Sequence, residues 1–273
     1  MNTFTVQPAT AESLPDLVAL IADREDAARR LTFMRERLAG GQFRLENTLI
    51  LRSGRGVEGN ALINAVPQIP VFPHLRSDAP EEAVTALARA ILEGAGPEQR
   101  LLLDDHLAPL QAAPFEAAGW VLDSRHVMYE TDLRARTYPL DPQAQTVNAD
   151  QAEIRVLLEQ LGQPDLELSE GWTLIALPGT DGSPVALGAV GPGGRPDTAS
   201  VNMIGVLPQA REQGLGTRLH AHLLALAAQD YGRHDGGTEA DNAAMRRIFD
   251  KHGSRLAATQ MYFVQGGEAV PLT

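Results

Sequence analysis

The sequence predicts an α/β protein made of two similar domains in tandem. Strand-like and helix-like segments alternate along both halves of the chain. Three short patterns of the first half also recur in the second at nearly one spacing, which indicates a duplicated unit. They are Val71-x-Pro73-x-x-Arg76 and Val206-x-Pro208-x-x-Arg211, Phe115-Glu116-x-x-Gly119 and Phe249-Asp250-x-x-Gly253, and Met128-Tyr129 and Met261-Tyr262. Prolines between the halves predict a first domain over residues 1–135 and a second over 146–273.

Apolar periodicity predicts the elements of each half. In the first half we expect strands over 4–7, 48–51, 61–66, 101–103 and 121–129, and helices over 13–22, 27–38, 80–92 and 109–118, with Ser77 or Asp78 capping the third helix. In the second half we expect helices over 152–161, 214–230 and 242–252, and strands over 172–177, 185–190, 200–206 and 261–264.

Composition narrows the function. The 273 residues carry a formal net charge of −12, which repels phosphate backbones and anionic lipid and argues against nucleic-acid or membrane binding. No apolar stretch is long enough to span a membrane, and the N-terminus does not resemble a secretory signal. The chain has no cysteine, which excludes disulfides and thiolate chemistry and fits a cytoplasmic protein. These features favour a small-molecule site.

A strand, a tight turn and a long helix follow one another between Val201 and Leu219. Gly214 and Gly216 have no Cβ atom, so a ligand can approach the backbone where the helix begins. The first-turn amides of a helix have no intrahelical partner and lie at the positive end of its dipole. Amides from about Arg211 to Thr217 could therefore hold a pyrophosphate. The alternative is a tight turn that binds no ligand.

The same segment resembles the acetyl-coenzyme A signature of the GNAT superfamily of N-acetyltransferases, V-x-P-x-x-[QR]-x-x-G-x-[GA]-x-x-L, at every position from Val206 to Leu219. The resemblance implies two GNAT-like domains, each a mixed, mostly antiparallel sheet flanked by helices. It also implies acetyl-CoA as co-substrate, no metal, and pairing of the pantetheine arm with a strand at Gly205, a position approached by another backbone. The cofactor-binding residues expected in this segment are Ile204, Gly205, Val206, Arg211, Glu212, Gln213, Gly214, Leu215, Gly216 and Thr217.

A second family element follows at Asn242 and Phe249. By resemblance, Asn242 would bind the pantetheine arm and Phe249 would pack near the thioester. Asn242 can equally cap a helix, and Phe249 can equally be a core residue. The family usually has a tyrosine at the position of Phe249, whose phenol protonates the departing thiolate. Phenylalanine has no proton to donate, so we expect Tyr262 or Tyr231 to replace it, or the thiolate to leave without an acid.

A proton acceptor for the attacking amine is harder to identify. Glu239 and Asp241 flank the end of a strand near the motif and are the candidates, although either can be an ordinary surface carboxylate. We place Glu239 and Tyr262 as the catalytic pair. His220 and His222 lie two positions apart on one helix and therefore point to different faces, which excludes a metal pair.

The first half keeps the frame of the motif but not its glycines. Ala79 and Glu81 replace Gly214 and Gly216, and the Glu81 carboxylate would lie where a pyrophosphate belongs. Asn242 has no polar counterpart, since the matching residues are Leu107 and Ala108. We therefore expect a first domain that is GNAT-like and has lost its cofactor site.

The predicted function is transfer of an acetyl group from acetyl-CoA to a primary amine of a small molecule or peptide. Direct attack is expected, because the chain has no cysteine and no G-x-S-x-G elbow. The alternative is a non-catalytic acyl-CoA binding or sensing protein, and a third reading, a structural scaffold, predicts no cofactor binding. The sequence does not identify the acceptor, and a homodimer remains open.

Overall fold

The computed structural model describes residues 4–41 and 44–266. Twelve strands and six α-helices alternate along this part of the chain. The strands are β1 Phe4–Pro8, β2 Thr48–Ser53, β3 Gly56–Leu62, β4 His74–Leu75, β5 Leu101–Asp104, β6 Trp120–Asp132, β7 Gln145–Val147, β8 Thr173–Pro178, β9 Pro184–Pro192, β10 Thr198–Val206, β11 Arg233–Glu239 and β12 Arg255–Gln265. The helices are α1 Arg24–Ala39, α2 Glu81–Gly94, α3 Ala113–Glu116, α4 Ala152–Gln160, α5 Leu215–Asp230 and α6 Ala243–Lys251.

The chain divides into two compact units. Unit 1 contains the residues up to His126 and those from Ala258 onward, and unit 2 contains Val127–Ala257. This division differs from the predicted bounds of 1–135 and 146–273, because β6 and β12 each have residues in both units. Each unit thus includes a strand segment that belongs to the other half of the sequence.

Unit 1 has a four-stranded antiparallel sheet in the order β1-β2-β3-β4. Its strand β5 pairs with β12 in antiparallel register, from Gln260 opposite Asp104 to Phe263 opposite Leu101. Helix α2 buries Leu87 and Ile91 in the same hydrophobic cluster as Phe263. The last strand of the chain therefore completes the core of the first unit.

Unit 2 contains the strands in the order β6-β11-β10-β9-β8-β7. The pairs from β7 to β10 are antiparallel, whereas β10 and β11 are parallel. Alternate residues of β8 point to opposite faces of the sheet, as strand geometry requires. Leu174 packs in one cluster with Ile154 of α4, and Ile175 packs in another with Leu219 of α5. The two helices therefore flank this mixed sheet on opposite faces.

Strand β6 supplies part of the interior of unit 2. Tyr129 stacks on Phe249 of α6 with ring centroids 4.5 Å apart. Thr131 Oγ1 lies 2.8 Å from Ser254 Oγ in a buried hydrogen bond. Unit 2 thus depends on side chains that precede the interdomain segment predicted from the prolines.

Several predicted elements of the first half differ from the structure. The helix expected over 13–22 is a short 3-10 helix, Leu14–Val18, because Asp23 adopts an extended conformation and caps α1 through its side chain. The strand expected over 61–66 is β3, which begins earlier, at Gly56, and ends at Leu62. It begins there because a two-residue turn places Gly56 directly opposite Ser53. The helix expected over 109–118 is limited to α3 by Pro114, which has no N–H to extend the helix backwards.

Two further differences concern helix ends and missed strands. Neither Ser77 nor Asp78 caps α2, whose N-cap is Pro80 without a side-chain hydrogen bond. Strands β4 and β7 were not among the predicted elements, and β11 was expected only as a strand ending near Glu239, without bounds. No helix in residues 4–41 or 44–266 is long and apolar enough to cross a membrane.

Candidate acyl-CoA cleft

The parallel pairing of β10 and β11 ends after three residues. Thr198, Ala199 and Ser200 pair with Arg233, His234 and Asp235, and no further pair follows along the two strands. The separation opens a cleft of about 870 Å³ in unit 2. Residues 201–206 of β10 line one side of the cleft, and Gly237 and Thr238 of β11 line the other. The edge of β10 that faces the cleft is therefore free to pair with a ligand.

The glycine turn forms the end wall of this cleft. Gly214 has φ = 78° and is the N-cap of α5, and Glu212 has φ = 64°. A left-handed backbone is uncommon for a residue with a side chain and concentrates at ligand-binding turns. Open space surrounds the position of a Cβ at Gly214, so this glycine is required by its conformation and not by crowding.

The first turn of α5 presents unused donors to the cleft. No side chain caps the helix, and its first backbone hydrogen bond at the cap runs from Arg218 N to Gly214 O. The amides of Leu215, Gly216 and Thr217 therefore have no intrahelical acceptor. All three residues line the cleft. Together with the helix dipole, these N–H groups can bind an anionic oxygen cluster.

Arg211 supports the turn and also lines the cleft. Its Nε donates to the carbonyl oxygen of Val206 at 3.1 Å, which ties the end of β10 to the turn. The remaining nitrogens of the guanidinium are left for an anion. Arg211 thus combines a structural bond with a cation at the end wall.

Gly205 pairs with Leu187 of β9 and packs against the side chain of Leu161. A Cβ at this position would lie 2.8 Å from Leu161 Cδ1 of the chain after α4. A glycine at position 205 therefore leaves room for Leu161, and pairing of the pantetheine arm at Gly205 stays a prediction. Gly216 is less crowded, since a Cβ there would lie 3.3 Å from Ile248 Cδ1.

Helix α6 lies along the cleft, with Asn242 at its start and Phe249 near its end. Asn242 is the N-cap of α6, and its Oδ1 accepts a hydrogen bond from Met245 N at 3.0 Å. Phe249 is buried against Tyr129. Both residues also line the cleft. Asn242 is thus a helix cap and Phe249 a core residue, and a contact of either side chain with a ligand stays a prediction.

A cluster of three buried histidines lies behind Phe249. His220 Nδ1 and His252 Nδ1 are 2.6 Å apart, and His234 Nδ1 lies 3.1 Å from Thr131 Oγ1. The Nε2 atoms of His220 and His234 are buried and have no hydrogen-bond partner among the residues that the structure describes. Burial lowers the pKa of His234 to about 4 and that of His252 to about 4. The cluster is therefore neutral near pH 7.

His222 has a separate role from this cluster. Its Nδ1 accepts a hydrogen bond from Asp141 N at 2.9 Å. The Asp141 carboxylate in turn accepts a hydrogen bond from Arg218 Nε at 2.7 Å, and this bond holds the pKa of the carboxyl below its usual range. These contacts fix the chain before β7 against α5. His220 and His222 thus have different partners, as their spacing predicts.

Most of the predicted cofactor-binding residues meet in the cleft, and Gln213 alone does not line it. Those that do are Ile204, Gly205, Val206, Arg211, Glu212, Gly214, Leu215, Gly216, Thr217, Asn242 and Phe249.

The predicted catalytic residues are not among the lining residues. Glu239 is exposed at the end of β11, its carbonyl oxygen accepts a hydrogen bond from Asn242 N, and it does not line the cleft. Tyr262 belongs to unit 1, where its hydroxyl donates to Gln260 Oε1 at 3.2 Å. Asp241 and Tyr231 do not line the cleft either. Among the residues that do, Glu212 is the only carboxylate.

Sequence reasoning also missed several lining residues. They are Gln160, Leu161, Val201, Asn202, Met203, Ala210, Gly237, Thr238, Ala244, Met245, Arg247, Ile248 and Lys251. The helical spacing of Ala244, Ile248 and Lys251 places them on one face of α6 and could have identified that face. Nothing in the sequence marked Asn202 or Thr238.

Comparison with known proteins gives this site a family. Residues 138–253 match the model of the Acetyltransferase (GNAT) family. No curated protein matches the chain at a significant level. Among solved structures, the fold is similar to that of a GCN5-related N-acetyltransferase from Kribbella flavida, with a TM-score of 0.55 and 17% identity over 78% of this chain and 88% of that chain.

Two further structures match over nearly the whole chain. A GCN5-related N-acetyltransferase from Sphaerobacter thermophilus has a TM-score of 0.55 and 13% identity over 95% of this chain and 94% of that chain. A tandem GNAT protein from the clavulanic acid biosynthesis pathway has a TM-score of 0.48 and 15% identity over 98% and 100%. The predicted fold class, two GNAT-like domains in tandem with mixed, mostly antiparallel sheets, is confirmed. Residues 138–253, which hold the cleft and the glycine turn, belong to the GNAT family of acetyltransferases.

Proposed function

We propose that the cleft of unit 2 binds acetyl-CoA and that the protein transfers its acetyl group to a primary amine of a small molecule or peptide. The observation that supports this most strongly is the set of free α5 amides at Leu215, Gly216 and Thr217, which face a cleft beside an unpaired strand edge. The diphosphate of coenzyme A would accept from these amides and from Arg211. The amides of the pantetheine arm would pair with the free edge of β10 between Val201 and Val206.

The reaction needs few groups from the protein. The neutral amine attacks the thioester carbonyl, an N–C bond forms, and the C–S bond breaks. The nitrogen loses one proton and the departing thiolate takes up one, so the exchange balances through solvent. Phe249 cannot donate that proton, and no tyrosine lines the cleft. A thiolate leaves readily, so holding the thioester against the amine would supply most of the acceleration.

We infer one cofactor site per chain. The counterpart of α5 in unit 1 is α2, whose first turn carries Glu81 and Glu82. Arg76, which matches Arg211, forms an ion pair with Asp78 at 2.9 Å. An acidic first turn and an engaged arginine would repel a diphosphate and not bind it.

Calorimetry with acetyl-CoA tests the binding step. The parent should bind one equivalent, and Gly216→Glu should abolish binding. The new carboxylate would occupy the anion site. An acid suits the first turn of a helix, and the new Cβ would lie 3.3 Å from Ile248 Cδ1, a side-chain methyl that must shift by a few tenths of an ångström. Gly194→Glu is the matched control, because it adds the same charge in open space at a glycine of unit 2 outside the cleft lining.

Release of free thiol with a panel of amines tests the transfer step. Amine-dependent release that Gly216→Glu removes supports the transferase. Tight binding with no release above hydrolysis for any amine would instead support a non-catalytic acyl-CoA sensor, which the phenylalanine at position 249 favours. No binding at all, or two equivalent sites, would contradict the proposal.

A further inference from the structure

The cleft has more positive charge than a diphosphate requires. Beside Arg211 at the glycine turn, Arg247 and Lys251 of α6 also line it. Glu212 is the only acid among the lining residues. In a chain with a net charge of −12, a wall with three cations and one carboxylate is a local exception.

Arg247 and Lys251 lie one helical turn apart on α6, both exposed. Neither has a carboxylate within ion-pair distance in residues 4–41 and 44–266, and Arg247 Nε bonds only the carbonyl of Ala243, at 3.1 Å. Like charges at this spacing repel each other in the absence of an anion. The helix dipole explains a cation in the last turn, such as Lys251, but not one in the middle of a nine-residue helix.

The position of these cations fits a second phosphate next to the first. Ile248, adjacent to Arg247, lies 3.3 Å from the Cβ position of Gly216, so this face of α6 approaches the α5 amides. Lys251 follows less than one turn beyond Ile248, about 4.5 Å along the helix axis. Coenzyme A carries a third phosphate on the ribose 3′-oxygen, one sugar away from its diphosphate.

From this arrangement we propose that Arg247 and Lys251 bind the 3′-phosphate of the nucleotide and thereby select coenzyme A over 3′-dephospho-coenzyme A. The inference rests on the proposed function, because it requires the diphosphate at the α5 amides. Lys251 is the only lysine of the chain, so a substitution at this position removes the only lysine ammonium group and no other lysine can compensate.

The test compares two ligands, coenzyme A and 3′-dephospho-coenzyme A, by calorimetry on the full chain. The parent should bind coenzyme A at least about tenfold more tightly, since a charge-assisted hydrogen bond contributes on that scale. Arg247→Gln and Lys251→Gln should each weaken coenzyme A by about tenfold and change dephospho-coenzyme A little. Arg246→Gln is the matched control, because Arg246 lies on the same helix, bonds the carbonyl of Ala240 and does not line the cleft.

Each outcome decides the question. The subsite is supported if Arg247→Gln and Lys251→Gln each reduce the preference for coenzyme A over 3′-dephospho-coenzyme A and Arg246→Gln leaves that preference unchanged. Equal binding of both ligands by the parent, equal losses for both ligands, or the same narrowing in Arg246→Gln would overturn it and leave the proposed function intact. Binding of neither ligand by the parent would overturn the proposed function, and the subsite with it.

Discussion

Acid should destabilise unit 2 through its buried histidines, and His234 allows the effect to be calculated. The imidazole has no exposed surface, and burial lowers its pKa from 6.5 to about 4. Between those two values the unfolded chain binds a proton that the folded chain does not. The stabilising effect is therefore complete above pH 6.5 and is lost as the pH falls through 4. At about 1.4 kcal/mol per pKa unit, the loss for this one residue is about 2 kcal/mol at pH 5 and about 3 kcal/mol at pH 4.

Urea unfolding near pH 8 and pH 5 measures this difference. His234→Gln keeps a polar group near Thr131 but cannot titrate, so the fall in the free energy of unfolding should shrink by about 2 kcal/mol. His106→Gln is the control, because that ring is 66% exposed and lies outside the cluster. A parent whose stability does not fall between the two pH values would refute the reasoning. So would a His234→Gln variant that loses as much stability as the parent.

Three other changes test the glycine turn, the aromatic core and the shared strand. Gly214→Val places a branched side chain at φ = 78° and should weaken coenzyme A far more than a pantetheine fragment without the diphosphate; equal losses would mean that the turn only supports folding. Phe249→Tyr should leave coenzyme A affinity nearly unchanged in calorimetry and raise thiol release or leave it the same, and a large loss of affinity would contradict the proposed position of the thioester. A fragment over residues 143–266 lacks β6 and should show no cooperative unfolding by circular dichroism, whereas one over 119–266 retains that strand and should be more structured.

The glycine-turn half of the candidate site could be predicted from the sequence because it is local. The glycine turn, its flanking strand and the start of α5 are contiguous, so one stretch of sequence contains the geometry that an anion needs. Asn242 was expected to bind the pantetheine arm, with helix capping as a compatible alternative, and in the structure it caps α6 with Met245 N as its partner. Residues 201–219 therefore needed no long-range information.

The catalytic half could not be predicted because it depends on tertiary placement. Tyr262 was named as a possible replacement for the missing acid, but it lies in unit 1, where β12 pairs with β5. Strand β11 was expected only by resemblance and without bounds, because its residues, including Gly236 and Gly237, show no apolar alternation. Its buried side chain is His234, and a Cβ at Gly236 would lie 3.0 Å from that ring. The segment forms a strand because it packs closely around a buried polar side chain, and no hydrophobic pattern in the sequence predicts such packing.

The pairing of β12 with β5 has a consequence for synthesis on the ribosome. Residues 260–263 complete a sheet whose partner strand, 101–104, was made more than half a chain earlier. Domains usually fold in the order in which they emerge, but here the first unit must wait until residues 260–263 have been made. During that delay, β5 exposes an unpaired edge and Met261 and Phe263 are missing from its core. Nascent chains should therefore be most dependent on chaperones, and most prone to associate with one another, in the interval before the last strand emerges.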